Sequence, residues 1–330
     1  MADKIRWGII STANIGRKAV IPAIHASSNG EVVAVASRNI ERAQEFADAN
    51  GIPKTFGSYE DMLASGEIDA VYNPLPNDGH GPWSKKAADA GIAVLCEKPL
   101  TLNAEEAQET IDYIADKGVL FAEAFMYRFH PQHDVVRDTI GSGDIGDIRM
   151  ISSTFTYYLS RTEDIRLLPE LGGGGLMDVG CYCINAMRLL TGEEPDGGQA
   201  FARYHPETNV DIGASCTLSF PSGAMGHFDC GMEAYNTRTY DVRGTKGRIR
   251  LEDAFLPHKD EDQTVRVWRG EQYEEINVPA ANQYQLMVED FADALINNRP
   301  FRFPVQDAVG NMMVIENLMA SAQVHDVYCY

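Results

Sequence analysis

Along the first 124 residues, short apolar runs alternate with amphipathic stretches. Ile5–Ile10 is an apolar run that reads as a buried strand, and Asn14–Ala26 follows with helical spacing. Glu31–Ser37 is β-branched and predicts a second strand, and Ile40–Asn50 predicts a helix stopped by Gly51 and Pro53. Ser58 with Asp61 is a capping pattern for a short helix. Asp69–Asn73 predicts a strand, Pro82–Ala90 a helix ended by Gly91, and Ile92–Cys96 another strand. Asn103 with Glu106 caps a helix running to about Lys117, and Val119–Ala124 closes the series as a strand. Repeated strand–helix units of this length predict an α/β, doubly wound parallel sheet with right-handed crossovers.

The rhythm changes after about residue 125. Ile148–Tyr158 predicts a long strand, Leu171–Gly175 a flexible loop, and Leu176–Leu190 a helix closed by Gly192. Turn-bounded strands follow at Ser215–Phe220, Ala224–Cys230, Thr239–Val242, Gly247–Leu251, Val265–Trp268 and Glu275–Val278. Two helices, about Gln283–Asn297 and Val305–Ala322, end the chain. The pattern predicts two domains: residues 1–124, and an α+β domain over 125–330 with a large open, mostly antiparallel sheet carrying helices on one face.

Composition narrows the function. The formal charge is −20, from 28 basic and 48 acidic side chains. Such a surface repels nucleic acid and anionic membranes, so neither is an expected partner. No apolar run reaches the roughly 20 residues that span a bilayer. Met1–Gly8 carries neither a long apolar stretch nor a twin arginine, which predicts a cytoplasmic location. The six cysteines, Cys96, Cys181, Cys183, Cys216, Cys230 and Cys329, form no CxxC pair and read as reduced thiols. Cys181 and Cys183 lack neighbouring histidines at ligand spacing, and no metal site is expected.

Chemistry enters at the first turn. Between Ile10 and Gly16, a Rossmann dinucleotide fingerprint places glycines at the positions of Ser11, Ala13 and Gly16, and only Gly16 is one. Small residues still leave the backbone accessible, and a helix N-terminus favours an anion. Ser11, Thr12, Ala13, Asn14 and Ile15 are therefore candidate cofactor contacts. The second strand ends in Ser37-Arg38-Asn39, with no carboxylate to accept from a ribose 2′-hydroxyl. Arg38 can pair with a 2′-phosphate in a fork, so NADP is the expected cofactor, with Ser37 and Arg38 as its contacts.

Glu97-Lys98-Pro99 follows a strand directly, at the edge where ligands bind in such sheets. Taken alone it fits either a catalytic group or a surface ion pair. Asp178 and Tyr182 stand four apart in the run Gly172–Tyr182, on one helix face, a spacing equally common in purely structural helices. No HExxH, no complete nucleophile elbow and no GxxxxGK[ST] loop competes.

Taken together, Glu97-Lys98-Pro99, the segment Glu123–Pro131 (with Arg128) and Gly175–Tyr182 resemble the Gfo/Idh/MocA oxidoreductase family over nearly the whole chain. The pattern is similar to the branch holding glucose–fructose oxidoreductase, dimeric dihydrodiol dehydrogenase and the NADP-dependent xylose dehydrogenases. The resemblance implies a Rossmann domain followed by an open-faced domain, associating as a homodimer or homotetramer through the C-terminal sheet. It implies that Lys98 and Tyr182 flank the nicotinamide and the reacting carbon. Tyr182, whose phenol ordinarily ionises near 10, would take the proton, with Lys98 supplying charge and Asp178 orienting. Pro74, Leu75, Asn77, His80 and Glu97 would line the cofactor, and Arg128, Tyr157 and Arg166 would lie near the substrate, with Tyr284 a weaker candidate. The inositol-dehydrogenase branch carries a histidine where this chain has Tyr182, which argues against inositol. The implied activity is oxidation of an aldose C1 hydroxyl of the D-xylose or D-glucose type. Alternatives are a trans-dihydrodiol dehydrogenase, a sugar-ketone reductase, a sugar–sugar oxidoreductase with tightly bound NADP, and a non-catalytic nicotinamide-sensing regulator.

Overall fold

The structure, a computed structural model, describes residues 4–161 and 163–324. They form two compact units: residues 4–129 with 282–309, and 130–281 with 310–324.

The first unit holds strands β1 (Ile5–Ile10), β2 (Gly30–Ala36), β3 (Lys54–Phe56), β4 (Ala70–Asn73), β5 (Ala93–Cys96) and β6 (Phe121–Glu123). They make one parallel sheet in the order β3-β2-β1-β4-β5-β6. The connecting helices are α1 (Ile21–Ala26), α2 (Ile40–Asn50), α3 (Tyr59–Leu63), α4 (His80–Asp89) and α5 (Ala104–Asp116). The chain runs outward through β1, β2 and β3 and then returns to β4, so strand order reverses between β1 and β4. In open parallel sheets ligands bind outside the carboxyl ends at such a reversal. The expected caps are present: Ser58 Oγ accepts from the Asp61 N–H at 3.0 Å, and Asn103 Oδ1 from the Glu106 N–H at 2.8 Å. Ahead of α1, Gly16–Val20 is a wide helical turn, with the Ile21 N–H bonded to the Gly16 carbonyl. Pro22, next in the chain, cannot donate, and the wide turn accommodates its ring.

This unit also takes in residues 282–309, which a boundary at 124 would leave with the second domain. Their apolar face explains why. Phe291 packs its ring 5.2 Å from that of Trp7, which is fully buried in β1. Asn29 Nδ2 donates to the Glu289 carbonyl at 2.8 Å, and Gln285 Nε2 to the Ala26 carbonyl at 3.2 Å. β3, half-exposed and three residues long, is an edge strand too short to show an alternation.

The second unit holds α6 (Pro131–Gly141), β7 (Ile148–Tyr158), α7 (Cys181–Thr191) and seven further strands. These are β8 (Gly197–Tyr204), β9 (Asp211–Ser219), β10 (Met225–Gly231), β11 (Glu233–Gly244), β12 (Gly247–Leu251), β13 (Gln263–Arg269) and β14 (Gln272–Val278). α8 (Gln283–Ile296) belongs to the first unit, and α9 (Asp307–Val324) starts there and continues into the second. The eight strands form one sheet in the order β14-β13-β12-β11-β7-β10-β9-β8, antiparallel except where β10 pairs with β7. On one face Phe155 stacks on Phe255 at 5.3 Å and buried Tyr240 lies 5.8 Å from His133. Register places Met225, Met150, Arg243, Arg248, Trp268 and Tyr273 in one row across the other face. Of these, Met150, Met225 and Tyr273 are exposed. α6 and β8 have no counterpart in the hydrophobic pattern: α6 begins on a proline with few apolar positions, and β8 is a largely exposed edge opening on two glycines.

No described helix is long and apolar enough to cross a membrane. Cys96, Cys181, Cys183, Cys216 and Cys230 are buried free thiols, and Cys329 lies outside the described residues.

Candidate active site

In the first unit, every predicted cofactor residue lies at or just beyond the carboxyl edge of the parallel sheet. Ser11 leaves β1 with φ +70°, its N–H bonded to the Ala36 carbonyl at 2.9 Å. The left-handed turn that a fingerprint glycine would make is thus made here by a serine. Thr12, Ala13 and Ile15 are half-buried, and Asn14 is exposed and accepts from Arg17 Nη2 at 3.0 Å. Ser37 is buried after β2, its N–H on the Phe56 carbonyl at 3.1 Å, and Asn39 caps α2 by accepting from the Arg42 N–H at 2.7 Å. Arg38 projects into solvent and hydrogen-bonds the Tyr59 hydroxyl. Burial raises the Tyr59 pKa, and the charges of Arg38 and Arg42 oppose that rise. Two cations therefore share this corner. Arg42, one helical turn beyond Arg38, was open to sequence reasoning by its spacing alone.

Beside β4, fully buried Asn73 organises the next turn. Its Nδ2 donates to the His80 carbonyl at 3.2 Å and to Ser84 Oγ at 3.3 Å, while its Oδ1 accepts from the Leu75 N–H at 3.3 Å. Pro74 is buried, and Leu75 and Asn77 are half-buried. The His80 ring is buried, with Nδ1 2.8 Å from the Pro99 carbonyl and Nε2 2.7 Å from the Leu75 carbonyl. The neutral ring donates to one of the two carbonyls, and backbone on both sides holds it in the wall of the turn after β4. Burial pushes its pKa down to about 4, against the pull of the two carbonyls.

Glu97 accepts from the Tyr72 hydroxyl at 2.5 Å and, through its other oxygen, from the Lys98 N–H at 3.3 Å. Burial and the Glu97 charge hold the Tyr72 phenol far above its usual pKa, so it stays a donor. This fixes the carboxylate beside Lys98, which is half-buried and joined to Pro99 by a cis peptide bond. Arg128 is 3% exposed, its Nη1 is 2.9 Å from Asp307 Oδ2, and its guanidinium lies 4.4 Å from the Phe303 ring centroid. Those contacts tie residues 282–309 to the first unit.

In the second unit the structure brings Tyr157, Arg166 and Asp178 together. Asp178 Oδ2 accepts from the Tyr157 hydroxyl at 2.6 Å and from Arg166 Nε at 2.8 Å, and Arg166 Nη1 also lies 3.1 Å from Asp164. Asp178 raises the Arg166 pKa, so the cation persists at any working pH. Burial first, and then the Asp178 charge, raise the Tyr157 pKa, so that phenol donates and is no base. Asp178 lies in the wide turn Leu176–Gly180, and Tyr182 follows on α7. The Tyr182 ring is largely buried against Phe155, at 5.2 Å, and Phe255, at 5.7 Å. Asp211, which no sequence motif marks, accepts from the Leu176 N–H at 2.7 Å. Among the described residues no three His, Cys, Asp or Glu side chains gather as a metal site.

Comparison with known proteins identifies the family and the fold. A family model described as an oxidoreductase family with an NAD-binding Rossmann fold matches residues 5–125, and a GFO/IDH/MocA C-terminal domain model matches 133–250. A D-xylose 1-dehydrogenase (NADP+) of Haloferax volcanii is 39% identical over 96% of this chain and 97% of its own. A trans-1,2-dihydrobenzene-1,2-diol dehydrogenase of Mus musculus is 35% identical over 77% of this chain and 76% of its own. A 3-ketoreductase from Actinomadura kijaniata, solved with NADP and TDP-benzene, superposes with a TM-score of 0.92 at 32% identity, covering 97% of this chain and 98% of that one.

Proposed function

Because the chain belongs to the Gfo/Idh/MocA oxidoreductase family, we propose that it is an NADP-dependent dehydrogenase that oxidises the C1 hydroxyl of an aldose of the D-xylose or D-glucose type to a lactone. The donor set at the end of β2 fits NADP. Ser37, Arg38 and Arg42 offer hydroxyl and cationic groups where an NAD site carries a carboxylate, and the left-handed turn at Ser11 opens the backbone to a pyrophosphate. The residues assigned to hold it are Ser11, Thr12, Ala13, Asn14, Ile15, Ser37, Arg38, Pro74, Leu75, Asn77, Glu97 and Lys98. When bound, the nicotinamide supplies the hydride acceptor.

The remaining work falls to this chain's side chains. As the C1–H bond gives up its hydride, the hydroxyl must shed a proton, and Tyr182 is assigned to take it. Lys98 is assigned the positive charge that makes a phenol basic enough near neutrality. Arg166, fixed on Asp178, is assigned to bind sugar hydroxyls through its remaining guanidinium N–H groups, and Tyr157, whose one O–H goes to Asp178, to accept from them through its phenol oxygen. That three-residue network carries the reading, because it sets a permanent cation and a phenol acceptor on the carboxylate one helical turn before Tyr182. A second copy of the chain is the proposed partner, on the sheet face bearing Met225, Met150 and Tyr273, and the proposed setting is the cytoplasm.

Turnover of NADP with a panel of aldoses tests the proposal. Saturable NADPH formation with a pentose or hexose supports it, and inertness toward every aldose refutes it. The likeness to the 3-ketoreductase supports a second reading, reduction of a ketosugar by the same residues. NADPH consumption with a ketosugar, without aldose oxidation, would decide for that reading.

A further inference from the structure

The glycine run Gly172–Gly175 is wound around one buried carboxylate. Asp211 opens β9, is 5% exposed, and places Oδ2 2.7 Å from the Leu176 nitrogen. The Gly175 N–H donates to the same carboxylate. A Cβ on Gly174, which holds φ +121°, would overlap Asp211 Oδ1, and one on Gly175 would stand 3.2 Å from Oδ2. The loop carries glycines here because the carboxylate occupies the space.

The same loop fixes the candidate chemistry. The Gly174 N–H donates to the Arg166 carbonyl at 2.9 Å, and the Asp178 N–H donates to the Gly174 carbonyl at 3.0 Å. A Cβ on Gly173 would overlap the Arg166 carbonyl. Arg166, Asp178 and the start of the Tyr182 helix are thus hung from a turn that Asp211 grips by its backbone.

We propose that Asp211 is a positioning residue for the reaction: ionised, it clamps the N–H groups of Gly175 and Leu176 and sets where Asp178 and Tyr182 stand. The inference rests on Asp178 and Tyr182 forming the reacting side, as assigned above. Burial pushes the Asp211 carboxyl up to about 7, with the Gly175 and Leu176 N–H groups pulling the other way. The titratable groups that feel its charge are Tyr204, paired with it from β8, Cys216 on its own strand and Cys230 on β10. None is a cation, so the backbone donors alone favour the ionised form. Activity therefore falls as Asp211 protonates and rises as pH increases through about 7.

The linkage with stability has the opposite sign. The folded pKa lies above the unfolded one, so the folded state holds a proton that the unfolded chain releases. The contribution to stability is full below about 4, the ordinary carboxylate value, and is lost as pH rises through about 7. One residue therefore makes the site more active and the fold less stable over the same interval.

The test joins two measurements on the full-length protein. In 15N-leucine- and 15N-glycine-labelled protein, the Leu176 and Gly175 amides should titrate together with a midpoint near 7, and these shifts should vanish in Asp211→Asn. In the same variant, kcat should fall about ten- to hundredfold, the scale of a misplaced reacting group. KM for NADP should stay unchanged, and the inflection of kcat near 7 should be lost. Wild-type kcat and pH profile in Asp211→Asn would overturn the inference. So would pH-indifferent Leu176 and Gly175 amides in the wild type, a result that stands even if the variant fails to fold. The amide titration is independent of which residue takes the proton, so failure of the Tyr182 assignment and failure of this inference are read separately.

Discussion

Replacing Arg38 by alanine probes the cofactor assignment at a site where the surroundings can be held constant. Ser37 is fixed by its N–H on the Phe56 carbonyl and Asn39 by its cap on α2, so the backbone either side of Arg38 does not depend on that side chain. Arg38 is exposed and its own bond is to the Tyr59 hydroxyl, so Arg38→Ala should leave stability within about 0.5 kcal/mol of wild type. Its effect on NADP is larger. A hydrogen bond to a charged group contributes about 1.5–3 kcal/mol, a factor of roughly 10 to 150 in kcat/KM. Arg42 shares the corner and retains part of the preference, so the lower half of that range is expected for the single variant and the upper half for Arg38→Ala with Arg42→Ala. NAD lacks the 2′-phosphate, and its kcat/KM should change by less than about threefold. The assay is initial-rate NADPH or NADH formation with one aldose at several salt concentrations. The wild-type preference for NADP should weaken with salt, as screening of an exposed pair requires. Equal wild-type kcat/KM for the two cofactors would refute the reasoning, as would equal losses for both in Arg38→Ala.

Two further outcomes follow from the side-chain commitments. Arg128→Met removes the buried guanidinium that pairs with partly exposed Asp307 and should destabilise the first unit by about 1.5–3 kcal/mol, read as a lowered Tm, while KM for the sugar moves less than twofold; a large KM change at unaltered Tm would place Arg128 at the substrate. Lys98→Met should lower kcat by at least the factor seen for Tyr182→Phe and weaken NADP binding in a fluorescence titration; unchanged kcat would remove Lys98 from the chemistry.

Much of this fold was legible because local signals and tertiary structure agree. Ser58 and Asn103 cap helices as their spacing implies, and the apolar runs before Ser37 and Asn73 form largely buried strands. Where exposure dilutes the pattern, it fails: β3 is a three-residue edge, and β8 and the first residues of β11 are largely exposed. The allegiance of residues 282–309 was not legible, because it rests on pairs such as Trp7 with Phe291 that lie far apart in sequence. The candidate site divides the same way. Residue types at the sheet edge could be read from position, but the surroundings of His80 and Arg128 could not. Their partners, the carbonyls of Pro99 and Leu75 and the Asp307 carboxylate, are supplied by folding. Asp211 carries no motif, and only the space it denies to Gly174 reveals it.

The central claim is that Tyr182 takes the proton as the sugar carbon is oxidised. Tyr182→Phe keeps the ring that packs on Phe155 and Phe255 and removes only the hydroxyl, so the fold and NADP binding should persist. The decisive measurement is kcat for aldose oxidation across pH in this variant. The account predicts a loss of about 10²–10⁴, together with disappearance of one wild-type ionisation that raises the rate as pH increases. A near-normal kcat with the wild-type pH profile would contradict it and move the proton to Lys98.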